Sequence, residues 1–142
     1  MNAASEVDVN TPATRRITEL SVDECMELLK TQSLGRLVYL VRDKPQIRPL
    51  TYGLHQGSVA FRIGYGDLLD TIHLQPVVFE VDHGDVATRT GWSVIIHGVA
   101  EEIWRSEELA IAHDMGLQPW APGDRDHYVR ILPTAITGRR IT

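Results

Sequence analysis

The spacing of apolar residues changes near Gly35. Before that point, apolar residues recur at the three- and four-residue intervals of a helix face, which predicts a helix from Val22 to about Thr31. Ser21 and Glu24 form a capping box at its start. After Gly35 the chain turns to short runs of β-branched and aromatic residues separated by turn residues, which is typical of strands.

The runs after Gly35 set the predicted architecture. Short stretches rich in leucine and isoleucine predict two more helices, at Leu68–Leu74 and Glu107–Met115. The pattern contains no βαβ rhythm, which favours a mainly β (α+β) fold built as an antiparallel barrel of about six strands, flanked by two or three short helices. The predicted strands are Leu37–Val41, Ile47–Leu54, Ser58–Ile63, Val77–Val81, Trp92–Ile103 and, as one or two last strands, Tyr128–Leu132 and Ala135–Ile141.

Length and composition indicate one globular domain. The chain has 142 residues, of which 43% are apolar and 23% charged, enough to enclose a single core. Residues 1–16 are small and polar and lack periodicity, so we expect a flexible tail there and a domain over residues 17–142.

Charge and cysteine content limit the classes of partner and the cellular compartments that are compatible with the sequence. A net charge of -5 argues against a general nucleic-acid binder, which needs a basic face to replace the counterions of the phosphates. No apolar run approaches the ~20 residues that cross a bilayer, and the amino terminus lacks the apolar region of a secretory signal. The single cysteine, Cys25, cannot form an intramolecular disulfide. We therefore expect a cytoplasmic protein without membrane or nucleic-acid partners.

The residues by themselves do not specify a reaction. The six histidines show no HExxH spacing and there is one cysteine, so no metal site is predicted, and Asp82–Asp85 is interpreted as a solvated turn. There is no GxSxG elbow, and the glycines at 64 and 66 lack the third glycine of a dinucleotide loop. Trp92 could cover a ligand or close the barrel end. Three arginines near strands could receive a phosphate or pair with surface carboxylates: Arg48, Arg62 and Arg89.

Four segments in order carry a family resemblance. They read ITELSVDECMELLKTQSLGRLVYL, PQIRPLTYGLHQGSVAFRIGYGDLL, VVFEVDHGDVATRTGWSVIIHGVAEEI and YVRILPTAITGRRI. From about Ile17 to Ile141 the chain resembles actinobacterial members of the pyridoxamine 5'-phosphate oxidase-like superfamily, the FMN-binding split β-barrels. The resemblance implies a six-stranded antiparallel split barrel and a homodimer with two cofactor sites at the subunit interface.

The resemblance also implies a cofactor site. The flavin ring of relatives lies against backbone that corresponds here to Arg48, Pro49, Leu50, Thr51 and Tyr52. The phosphate is held around a loop in which we select six residues: Phe61, Arg62, Ile63, Gly66, Asp67 and Leu68. Trp92 approaches the pocket, in relatives from the same or the other subunit.

The phosphate loop departs from the family pattern. Relatives typically read FRTxxGTKL, whereas this chain has Ile63, Asp67 and Leu68 where relatives have two hydroxyls and a lysine. Each charge-assisted hydrogen bond to phosphate is worth roughly 1.5–3 kcal/mol, so the change weakens an FMN site unless Arg48 or Arg89 compensates.

Two classes of function follow from these observations. One is an oxidoreductase that uses FMN or the deazaflavin F420 on an unassigned small-molecule substrate, with the chemistry in the cofactor and no catalytic residue named. The alternative is a non-catalytic protein that binds a cofactor or ligand on the same scaffold with a degenerate FMN phosphate site. Distant split-barrel relatives bind heme, for which His97 is a candidate axial ligand, although a buried strand histidine is more often only hydrogen-bonded.

Overall fold

The computed structural model describes residues 14–64, 66–123 and 125–142. Within these ranges there are eight strands and three helices. In chain order they are β1 (Ile17–Leu20), α1 (Val22–Leu29), β2 (Leu34–Val41), β3 (Lys44–Thr51), β4 (Gly53–His55), β5 (Ser58–Ile63), α2 (Asp67–Ile72), β6 (Pro76–Asp85), β7 (Thr90–Ile103), α3 (Ser106–Asp114) and β8 (His127–Ile141).

The strands form one antiparallel sheet that curls around the core. The strand order is β3-β2-β6-β7-β8-β5-β4, with β1 paired to β8 beside this path. The two edge strands, β3 and β4, follow each other in the chain with only Tyr52 between them. The two edges of the sheet are therefore linked by the chain itself.

Aromatic rings fill the centre of the barrel. Phe79 lies with its ring centroid 5.4 Å from that of Tyr52 and 6.2 Å from that of Phe61, and all three side chains are buried. Gly35 makes room for Phe79, because a Cβ atom there would lie 2.3 Å from its ring. The Tyr52 hydroxyl donates a 2.6 Å hydrogen bond to the carbonyl of Leu29 at the end of α1, and burial raises its pKa to about 12. Tyr52 thus connects the point where β3 meets β4 to the first helix.

The third helix is fastened to the outside of the barrel by polar contacts. The Arg130 guanidinium lies 3.1 Å from the Glu108 carboxylate and 2.9 Å from that of Glu101. His55, which is buried, shares a 3.0 Å hydrogen bond with the Glu108 carbonyl. Leu117, just beyond α3, packs into a small second core cluster. These contacts fix the point from which the following segment leaves α3.

The mainly β fold predicted from the sequence is confirmed, with eight strands in place of six. One additional strand is β1, whose exposed residues give no periodic signal. The other arises because the Ile47–Leu54 run is divided at Tyr52. The two last predicted runs form one strand, β8, with a register shift opposite His97 and Gly98.

The helices agree closely with their predicted bounds. Each begins within one residue of the predicted start and ends one or two residues earlier. Residues 1–13 of the predicted tail lie outside the described residues. Arg15 and Arg16 are held in place, because Arg15 donates to the carbonyls of Thr88 and Arg89 and the Arg16 amide donates to Thr142.

The interpretation of Asp82–Asp85 as a turn was wrong. These residues continue β6 and pair with β7 as far as Thr90. They are polar because the β6–β7 hairpin extends beyond the core, where both of its faces meet solvent. The turn itself follows, and the Asp85 carboxylate accepts hydrogen bonds from the amides of Ala87 and Thr88 at 2.9 and 3.2 Å.

Candidate functional site

A cavity of about 520 Å³ opens between β3, β5 and the segment that follows α3. Its volume falls within the range of small-molecule and cofactor sites, roughly 300–1,000 Å³. We call it the arginine-lined cavity. Its lining residues are Leu34, Arg48, Pro49, Leu50, Thr51, Arg62, Ile63, Pro119, Trp120, Ala121 and Arg125.

Among the described residues, the charges that line this cavity are all positive. Three arginines line it and no carboxylate of the described ranges does, although the chain as a whole carries a net charge of -5. Arg48 is exposed on β3, and its side chain makes no hydrogen bond or ion pair with the part of the chain that the structure describes. Apolar and proline side chains supply most of the remaining lining. The arrangement suits a ligand with a flat apolar body and an anionic group.

Arg62 is engaged differently from Arg48. Its Nε donates a 2.8 Å hydrogen bond to the Arg125 carbonyl, and its Nη1 donates a 2.9 Å bond to the Leu117 carbonyl. The guanidinium also lies 5.3 Å from the centroid of the Tyr128 ring, within cation–π distance. The side chain that the resemblance assigns to phosphate is therefore bonded to the protein backbone.

The segment of residues 117–123 together with Arg125, which we call the cavity wall, contributes Pro119, Trp120, Ala121 and Arg125 to one side of the cavity. Besides the two bonds from Arg62, Thr51 donates a 3.4 Å hydrogen bond to the Gln118 carbonyl and Arg125 a 3.1 Å bond to that of Pro122. Trp120 lies in this wall and is 76% exposed. Sequence reasoning missed the wall, because its two prolines and one glycine indicate only a loop.

The structure brings together six of the twelve residues predicted to bind a cofactor. Tyr52 and Phe61 are neighbours of these residues in the chain, but their side chains are buried in the barrel core. The assignment of all twelve to a cofactor remains a prediction. The six that line the cavity are Arg48, Pro49, Leu50, Thr51, Arg62 and Ile63.

The remaining residues of the predicted phosphate loop lie at the start of α2. Gly66 has a φ of 147°, a conformation that favours glycine, and it directly precedes the helix. Asp67 is exposed in the first turn, where a carboxylate interacts favourably with the helix dipole, and Leu68 packs against the core. None of the three lines the cavity. Tyr65 lies outside the described residues.

Trp92 lines a second cavity of about 290 Å³, beside the β6–β7 hairpin and the end of β8. Arg89 and Arg139 contribute positive charge there and Asp82 a negative one. This cavity shares no lining residue with the arginine-lined cavity. Within one chain, therefore, neither Trp92 nor Arg89 takes part in the first cavity.

The side chains considered as metal or heme ligands do not form a site among the described residues. Among the described residues, no group of three or more histidine, cysteine, aspartate or glutamate side chains is placed to hold a metal ion. His97, expected to be buried, is exposed beside the β7 bulge and lies outside the arginine-lined cavity. Across residues 14–64, 66–123 and 125–142, no helix is long and apolar enough to cross a membrane.

A charged cluster on the outer side of the sheet carries a perturbed carboxyl group. Arg36 lies 2.9 Å from Glu80 and 3.3 Å from Asp82, two residues apart on β6. Burial, followed by the neighbouring Asp82 carboxylate, raises the pKa of Glu80 to about 7, against the lowering effect of Arg36. None of these groups lines the arginine-lined cavity, so they are not candidates for its chemistry.

Comparison with known proteins gives consistent similarities over nearly the whole domain. A family model described as pyridoxamine 5'-phosphate oxidase matches residues 21–140. An uncharacterised protein of Mycobacterium tuberculosis is 34% identical over 136 aligned residues, which cover 89% of this chain and 87% of that protein.

Two solved structures share both the fold and much of the sequence. The FAD binding protein from Mycobacterium smegmatis is 41% identical with a TM-score of 0.76, covering 87% of this chain and 98% of that one. A candidate pyridoxamine 5'-phosphate oxidase from Corynebacterium glutamicum is 32% identical with a TM-score of 0.76, covering 89% of this chain and 94% of that one.

Proposed function

The chain belongs to the pyridoxamine 5'-phosphate oxidase family, and from that premise we propose that it binds a flavin in the arginine-lined cavity and uses it in an oxidation–reduction reaction. The resemblance drawn from the ordered segments of the sequence is confirmed at the level of the family. FMN is the proposed cofactor, and FAD and F420 are the alternatives to be compared with it.

One observation carries this proposal. The cavity joins the β3 segment assigned to the flavin ring, Arg48–Thr51, with Arg62 and Ile63 from the segment assigned to its phosphate. These two segments are brought together by the fold, and their charges suit an anionic ligand. The FAD-binding relative at 41% identity supports a flavin as the ligand class.

The residues present fit the chemistry of a flavin phosphate ester. The guanidinium of Arg48 offers a planar fork of donors to an anionic phosphate. Pro49, Leu50 and Ile63 exclude water from the surface against which a ring would lie. A bound flavin supplies the group that accepts and returns hydride, and the protein contributes binding, orientation and exclusion of solvent.

The alternative is a ligand-binding protein without catalytic activity. It is favoured by the absence of donor side chains at Ile63 and Leu68 and by the carboxylate of Asp67, close in sequence to the expected phosphate position. The engagement of Arg62 with backbone carbonyls points the same way. Both the altered loop residues and the engagement of Arg62 predict weak binding of the cofactor.

We also propose that the protein is a homodimer with the cofactor near the subunit interface. In a single chain, Trp92 lines a cavity separate from the arginine-lined cavity. A role for Trp92 beside the flavin, as the resemblance implies, then requires Trp92 of a second subunit. Two-fold pairing is the commonest assembly of soluble oligomers.

Binding is tested by titrating the purified protein with FMN, FAD and F420 and following the visible absorbance and fluorescence of each. We expect at least one to bind with a Kd in the micromolar range. Arg48→Met should weaken FMN by about 10- to 100-fold through the lost charge-assisted bonds. Arg105→Met, which removes an exposed arginine outside the cavity, is the matched control and should bind as the wild type does.

The outcome separates the two classes of function. No binding of any of the three at tens of micromolar would refute the proposal. Bleaching of the bound flavin by NADH or NADPH, with recovery in air, would support an oxidoreductase. Binding without reduction by either nucleotide would support the non-catalytic alternative.

A further inference from the structure

We propose that Arg62 is a positioning residue: it fastens the cavity wall, and it leaves Arg48 to hold the anionic group of the ligand. The part that concerns the ligand rests on the proposed function. The part that concerns the wall does not, because it can be measured on the protein alone.

The two hydrogen bonds of Arg62 reach the two ends of the wall. Leu117 and Arg125 are the first and last residues of this segment, and each gives its carbonyl oxygen to the same guanidinium, at 2.9 and 2.8 Å. Arg62 is itself fixed, since β5 pairs with β8 at Tyr128 and the guanidinium lies over the Tyr128 ring. One side chain on a rigid strand therefore closes an otherwise irregular segment into a loop.

These bonds limit what else Arg62 can bind. A guanidinium grips a phosphate best with two donors on one edge, either Nε with Nη2 or Nη1 with Nη2. Each of these edges includes a nitrogen that already donates to a backbone carbonyl. Arg48 has both edges available, because its side chain makes no hydrogen bond or ion pair with the described part of the chain.

The wall in turn shapes the cavity. Pro119, Trp120 and Ala121 present the face opposite β3, and Arg125 adds the third positive charge. Trp120 is largely exposed, so a flat ring placed in the cavity would cover an indole that is now open to solvent. Release of the wall should therefore weaken the contact with the ring of a ligand.

Riboflavin and FMN distinguish a positioning role from a direct one, because they differ only by the phosphate. In Arg62→Met we expect the affinities for both to fall by the same factor, about 10-fold, since both lose the wall. In Arg48→Met we expect only the FMN affinity to fall. If Arg62→Met weakens FMN and leaves riboflavin unchanged, Arg62 binds phosphate directly and the proposal is overturned.

A measurement without ligand tests the anchoring itself. Amide hydrogen exchange in residues 117–123 should rise by about 10-fold or more in ligand-free Arg62→Met, because the wall loses both of its end contacts. Arg48→Met should leave this exchange unchanged. Unchanged exchange in Arg62→Met would overturn the proposal whether or not the wild-type protein binds a flavin.

A second variant guards against a general loss of structure. Arg62→Lys keeps the charge and can donate to one of the two carbonyls, so its exchange in residues 117–123 should lie between wild type and Arg62→Met. An increase spread evenly over β6 and β7 as well would indicate global destabilisation and contradict a local anchoring role. Failure of the wild type to bind any of FMN, FAD and F420 would refute the proposed function, while the exchange result still decides the anchoring.

Discussion

At the scale of single residues, the partner of each arginine decides what that arginine can do. Arg48 has none among the described residues and is free for a ligand, Arg62 is bonded to backbone, and Arg36 lies between two carboxylates. The sequence places all three beside strands and does not distinguish them. The difference arises from contacts between segments far apart in the chain, so residue type alone, which favours surface pairing over phosphate binding for Arg48 and Arg62, does not reveal it.

The Arg36 cluster leads to a prediction about pH. The Glu80 carboxyl has a pKa of about 7 in the folded protein, against 4.5 for an ordinary glutamate. Between these values the folded state binds more protons than the unfolded state, so the contribution of Glu80 to stability is lost as the pH rises through this window. With its side chain 24% exposed, the loss amounts to about 1–2 kcal/mol after allowance for solvent screening.

Glu80→Gln should remove this dependence. Urea unfolding at pH 5 and at pH 8 should show the wild type losing stability relative to Glu80→Gln at the higher pH. Glu27→Gln, which removes an exposed partner of Lys30 on α1, is the control and should keep the pH slope of the wild type. Identical slopes for wild type and Glu80→Gln would contradict the raised pKa.

At the scale of elements, the long β7–β8 pair carries the sheet and contains a tight backbone contact at Gly98. At the register shift beside His97, a Cβ atom on Gly98 would lie 2.3 Å from the Leu132 carbonyl oxygen and 2.7 Å from the Ile131 side chain. Backbone atoms cannot move aside as a flexible side chain can. The two strands would have to separate to admit even a methyl group.

Gly98→Ala should therefore lower the free energy of unfolding by about 1–3 kcal/mol, the usual cost of overpacking. Gly84→Ala is the matched control in the neighbouring strand, because its Cβ would lie 3.7 Å from its nearest neighbour, the Thr90 carbonyl oxygen. It should be neutral or gain up to about 1 kcal/mol from the reduced freedom of the unfolded chain. Equal midpoints for the two variants in urea would contradict the close approach at Gly98.

The elements also show where sequence reasoning stops. Runs with a clear period, such as Ser58–Ile63 and the helix at Val22, were placed at or near their observed bounds. The break at Tyr52 was not predictable, because it depends on a hydrogen bond to Leu29, a residue of α1. The cavity wall was missed for the same reason: its position is set by Arg62, which lies far from it in the sequence.

At the scale of the whole molecule, the proposed dimer has a direct consequence for the site. If each cofactor contacts Arg48 of one subunit and Trp92 of the other, a substitution of Arg48 in one chain and of Trp92 in the other should restore an intact site in the mixed dimer. A dimer of one Arg48→Met chain and one Trp92→Ala chain holds one site with both changes and one site with neither. Half of its sites should then bind FMN as the wild type does.

The assembly is measured first, by sedimentation equilibrium, with an expected mass of about twice the 15.9 kDa of one chain. After subunit exchange, FMN titration of the equimolar mixture should show a high-affinity class of sites that neither variant shows alone. A mass of 15.9 kDa at every concentration would exclude the dimer. A dimer whose mixture gains no high-affinity sites would place both residues in the same subunit's site or leave Trp92 without a role there.

The position of β8 governs when the protein can fold during its synthesis. This strand is the last in chain order, yet it lies inside the sheet, between β7 and β5, and also pairs with β1. A nascent chain that has reached only α3 can form the β2–β3, β4–β5 and β6–β7 pairs, but β1 and one edge of β5 still lack their partner β8. The barrel should therefore complete only after Ile141 has left the ribosome exit tunnel, and until then the unpaired strand edges are exposed to aggregation.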